Sequence, residues 1–160
     1  MNDVPEAKRA SELAEPSHDE LHEAVRRHLR IGWIGLLVFA TFGGVLETLH
    51  AFKSGAYLGV GNETRRLLWT LAHAHGVGMS LLQIALAATL RLAFVELTPR
   101  LRRAGTLLTV ATALLPGGFF LGGIATYDGD PGIGVLIAPI GAAVLWFAIL
   151  TLALALSDKR

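Results

Sequence analysis

At 160 residues and 17.1 kDa the chain holds one domain, or one compact bundle with a tail. Apolar types make up 52% and charged types 17%, with a mean hydropathy of +0.52; average soluble domains carry about 25% charge, so this balance argues against a free globule. The absence of cysteine excludes disulfides, thiolate metal sites and a cysteine nucleophile, and a net charge of +1 gives no case for a nucleic-acid partner.

Residues 1–16 are polar, carry two prolines and mixed charge, and are expected to form a flexible tail. Ser17 followed by Glu20 has the form of a capping box. A short amphipathic cytoplasmic helix is therefore expected over 17–30, with Leu21, Val25 and Leu29 on its weakly apolar face. His18 and His22 share a side of it, for which a solvated setting is expected rather than a metal pair.

Apolar runs follow at about 31–51, 67–90, 105–126 and 132–156. Each reaches the roughly 20 residues that cross a hydrocarbon core about 30 Å thick. Backbone groups in lipid must be satisfied within the segment, so all four are expected as helices. The ten-residue alternating segments of a β-barrel are not seen. The expected fold is all-α, an integral membrane protein with four transmembrane helices in an up-down bundle over 31–157. The long charged leader and the lack of an A-x-A-like site mark the first run as a retained anchor. Eleven of the 14 Lys and Arg fall on the N-terminal side of this bundle, and only Lys53, Arg65 and Arg66 on the other. The positive-inside rule then places both termini in the cytoplasm, in a cell (inner) membrane. The outer loop 52–66 holds several glycines and is long enough to cover the bundle mouth. The inner connection 91–103 carries Pro99 and four arginines, and Tyr127–Pro131 reads as a tight acidic turn.

An ionisable group inside a span costs several kcal/mol unless paired, so it is a functional candidate. Glu47 and His50 lie near the outer end of the first span, His73 and His75 about two turns into the second, and Lys53, Arg65, Arg66, Tyr127, Asp128 and Asp130 just above them. At about 100° per residue, Glu47 and His50 share a face with Gly32, Leu36, Ala40 and Gly43, a mostly small-residue stripe expected to meet another helix. His73 and His75 are about 200° apart. His73 belongs to a polar stripe with Arg66, Trp69, Gly76, Ser80 and Gln83 and is the expected inward ligand. His75 is expected to hydrogen-bond to a neighbouring helix or subunit. Pro116-Gly117-Gly118 in the third span predicts a kink or widened gap, and Gly118-x-x-x-Gly122 is a close-packing signature. The fourth span, with Pro139 and Gly141 but no ionisable group, reads as cover.

The leading expectation is a redox or electron-transfer protein holding haem b or a transition metal ion (iron, copper or zinc). Imidazole and carboxylate suit such ions, and Glu47-x-x-His50 has the i, i+3 spacing of two ligands from one helix. In the haem version His50 and His73 are axial ligands, Gly43, Gly44, Gly76 and Gly78 make room for the ring, and Arg65 or Arg66 pairs with the propionates. The string His73-Ala74-His75-Gly76 is similar to ligand-bearing segments of haem-copper oxidases and nitric oxide reductases. That similarity covers four residues, the rest of the chain departs from those large proteins, and no activity is carried over from them. Two alternatives stand beside it. Glu47, His50, His73, Ser80 and Gln83 could line a path for a proton or small solute in an oligomer. The same side chains could instead lock the bundle of an accessory or assembly subunit, surrounded by the lipid bilayer as a homo-oligomer or within a larger membrane complex. The chain lacks G-x-S-x-G, the P-loop pattern and His-Glu-x-x-His.

Overall fold

The computed structural model describes residues 6–94 and 96–157, with side chains from Asp19 onward. The first five residues of the expected tail, Lys159 and Arg160 lie outside the described residues, as do the side chains of Ser17 and His18. The described residues form an all-helical structure: α1 (Glu6–Ala51), the single turn α2 (Gly55–Leu58), α3 (Glu63–Ala93), α4 (Pro99–Ile124) and α5 (Ile137–Ser157). Four of these helices are long and apolar enough to cross a membrane.

The helices outrun the apolar stretches of the sequence. α1 passes without a break through 6–16, expected as tail, and carries the helix expected over 17–30 straight into the first span, so Ser17 does not open a helix. α4 begins at Pro99 and not at Gly105, because Thr98 caps it: its side-chain oxygen accepts from the Leu101 N–H, and Pro99 supplies a first helical residue with a preset φ. Pro116 lies buried inside α4, which continues through it as helix. The Tyr127–Asp130 turn has Asp128 and Gly129 at φ 50° and 86°, the left-handed pair of a type I′ turn, and the two flanking residues exchange backbone hydrogen bonds.

Extensive packing runs from α1 to α3, α3 to α4 and α4 to α5. Of the apolar windows, 39% of residues are buried in α3 and α4 but 17% in α1 and α5, which makes α3 and α4 the central pair. Their core is Met79, Leu86 and Leu90 against Leu101, Leu108 and Leu115, closed by Ala138, Ala148 and Ala155 of α5. Close van der Waals approach holds these helices together. Glycines make it possible here. A Cβ on Gly118 would lie 2.4 Å from the Ala138 nitrogen, and one on Gly141 2.6 Å from the Leu115 nitrogen. At the α1–α3 contact Gly32 lies against Ile84 and Ser80, and Gly76 against the Phe39 ring.

Candidate functional site

The polar stripe read on α3 is buried between helices. Ser80 and Gln83 are fully buried, and Ser80 Oγ donates to the Gly76 carbonyl while lying against Gly35 of α1. Gln83 anchors a chain of hydrogen bonds across three helices. Its Nε2 donates to Thr112 Oγ1 of α4 at 2.9 Å, and Thr112 Oγ1 donates to the Leu108 carbonyl at 2.7 Å. The Gln83 Oε1 is then the acceptor, so His28 Nδ1 of α1, 2.6 Å away, carries the proton. His28 is 1% exposed, and its ring fits only because residue 105 is glycine: a Cβ there would lie 2.6 Å from His28 Nε2.

His28 carries no expectation from sequence, where it sits among Arg26, Arg27 and Arg30 as one residue of a solvated helix. The available signal was the helical repeat, since His28 lies one turn before Gly32 on the face that meets α3. A polar cavity of about 300 Å³ reaches His28 from the surface, with Glu20, Glu23, Arg27 and Arg102 on its walls. Arg102 and Glu20 form an ion pair at 2.7 Å, both about half exposed.

The predicted His/Glu site is not gathered in the same way. Glu47 and His50 are both exposed, which corrects the expectation that they face another helix. Leu46, buried, and Gly43, packed on His73, hold that contact instead. His73 does face α1: its Nδ1 donates to the Phe39 carbonyl at 2.8 Å, and its ring fills the space left by Gly43. His75 points the other way. It donates to the Leu71 carbonyl of its own helix, not to a neighbour, and packs on Phe119 of α4 with ring centroids 4.8 Å apart. Among the described residues no group of three or more His, Asp or Glu stands close enough to hold a metal ion. Of the glycines expected to make room for a haem ring, Gly43 and Gly76 are filled by the His73 and Phe39 rings, while Gly44 and Gly78 face open space. Likewise His22 is engaged with Arg91 Nη1 at 3.0 Å.

The polar residues expected above the site hold backbone or lie open. Arg65 donates to the carbonyls of Gly123, Ile124 and Ala56, so it caps the end of α4, and its guanidinium lies 5.8 Å from the Trp69 ring centre. Trp69 in turn donates to the Phe120 carbonyl and stacks on that ring. Lys53, Tyr127, Asp128 and Asp130 are exposed, and Arg66 is half-buried. Arg65→Gln is expected to destabilise the fold by about 1 kcal/mol, because terminal carbonyls of α4 lose a charged donor. Increased amide exchange confined to 120–125 is the readout, and exchange unchanged there would show that Arg65 does not hold this end.

Comparison with protein-family models, with curated proteins and with solved structures finds no match for this chain.

Proposed function

We propose that this protein is a four-span integral membrane protein acting as an accessory subunit of a larger membrane assembly, through its membrane-facing surface and without a reaction centre of its own. The observation that carries this reading is the closed polar interior. No buried side-chain nitrogen or oxygen among the described residues lacks a hydrogen-bond partner, and His28, Gln83, Thr112 and Ser80 are engaged in holding helices. A reaction centre keeps a titratable or nucleophilic group free in a cleft, whereas here the imidazoles in the helix contacts each bond a carbonyl or an amide oxygen.

An up-down arrangement is supported by the order of contacts: moving forward along α1 from His22 through His28 to Gly43 meets Arg91, Gln83 and His73, backward along α3. The excess of Lys and Arg on the N-terminal side supports cytoplasmic termini. A haem or metal at Glu47, His50 and His73 draws no support from the geometry.

Protein purified from its native membrane in mild detergent is expected to be colourless, to carry no stoichiometric metal, and to elute in a particle larger than one chain with its detergent. In liposomes it is expected to dissipate a pH gradient no faster than empty vesicles. A Soret band or stoichiometric metal that disappears in His73→Ala would overturn this reading in favour of a cofactor protein. A gradient collapse that disappears in the same variant would overturn it in favour of transport.

A further inference from the structure

A continuous groove runs between α1 and α4. Its wider part, about 1160 Å³, begins at Glu23, Arg26, Arg27 and Arg30 and continues over Ile34, Val38 and Phe39 of α1. Its narrower part, about 550 Å³, passes Phe42 and reaches Pro116 and Phe120 of α4. Both parts share Ile31, Val38, Phe39 and Thr112, so one elongated molecule can occupy them end to end. The groove stays open because α4 turns mostly small side chains toward it, among them Thr109, Ala113 and Gly117. Ile34 and Val38 are 60% and 55% exposed, so no part of the described chain covers this wall.

The chemistry is divided along its length. The mouth holds three guanidinium groups against one carboxylate, and the remainder is walled by aliphatic and aromatic carbon. Guanidinium groups match phosphate oxygens bidentately, and arginines at the end of a span reach the headgroup level while their stems stay apolar. A transmembrane helix of another chain would fill the trough but leave the cationic mouth unmatched. We infer that the groove between α1 and α4 binds one anionic phospholipid, its phosphate on Arg26, Arg27 and Arg30 and an acyl chain along Val38 and Phe39 toward Phe120. This goes beyond the accessory role proposed above and stands without it.

The test is native mass spectrometry of the full chain, delipidated in detergent and offered dioleoylphosphatidylglycerol or dioleoylphosphatidylcholine. The wild type is expected to retain one phosphatidylglycerol and little phosphatidylcholine. Each arginine near an anionic headgroup contributes roughly fivefold in affinity, so Arg26→Gln/Arg27→Gln/Arg30→Gln should cut the preference on the order of a hundredfold. Ala113→Trp, which plugs the trough, should reduce uptake of both lipids. If the triple variant does not elute as a single species, Arg30→Gln alone, expected to cost roughly fivefold, decides the point. Equal retention of the two lipids by the wild type, a preference that survives the arginine changes, or a dimer that excludes lipid from the groove would each overturn the inference.

Discussion

Gln83→Leu is expected to destabilise the helix pack by about 1–2 kcal/mol. An interhelical hydrogen bond in a membrane contributes about 0.6 kcal/mol on average and up to about 1.7. In apolar surroundings a polar group left unpartnered costs about 1–3 kcal/mol. Gln83 makes two such bonds, to His28 and Thr112, and its loss strands the His28 N–H at a site 1% exposed. On the proposed membrane reading the cost lies below the soluble-protein maximum, because helices loosened in a bilayer find other partners there. Reversible unfolding in mixed micelles measures it. In a double-mutant cycle His28→Leu/Gln83→Leu should cost less than the sum of the single changes, since removing both partners leaves nothing stranded. Strict additivity would mean that the two side chains are not coupled.

The second large effect separates two adjacent glycines. Gly118→Ala is expected to cost about 2–3 kcal/mol, at the upper end of overpacking. The added methyl would meet Ala138 N at 2.4 Å and Ala138 Cα at 2.9 Å, backbone atoms with no rotamer to yield, so α4 and α5 must separate. Gly117→Ala meets nothing within 4 Å and replaces a poor helix former by the best one. It should be neutral or stabilise by up to about 1 kcal/mol. The same unfolding measurement on the two variants checks the α4–α5 contact, and a larger loss at Gly117 would contradict it.

The four long helices were legible because few charges interrupt the apolar runs, and the α3 stripe was legible because Trp69, His73, Gly76, Ser80 and Gln83 repeat at helical spacing. The ends were less so. Thr98-Pro99 is a recognisable helix start, but it lies outside the apolar run, where sequence alone points to a connection. The contact face of α1 was displaced for a different reason. The small-residue stripe points through Leu36 and Ala40 to Glu47. The observed contacts follow Gly32, Gly35, Phe39, Gly43 and Leu46, which leaves Glu47 about 80° off centre. Phe39 belongs to this face because its ring fits the gap at Gly76. Complementarity of that kind joins residues 37 positions apart and cannot be read from one helix alone. His50 lies near the contact face but in the last turn of α1, where it stays exposed. His28 is not legible from sequence because its charged neighbours mask a position buried between helices.

The chain contains no cysteine, so single thiols report directly on where its polar centre lies. In mild detergent, maleimide should label His50→Cys rapidly and leave Gln83→Cys unmodified, the result expected if His50 and Glu47 lie open while the buried polar chain is the one through Gln83. Protection at position 50 together with labelling at position 83 would contradict it and restore a closed His/Glu pocket at the other end of the helices.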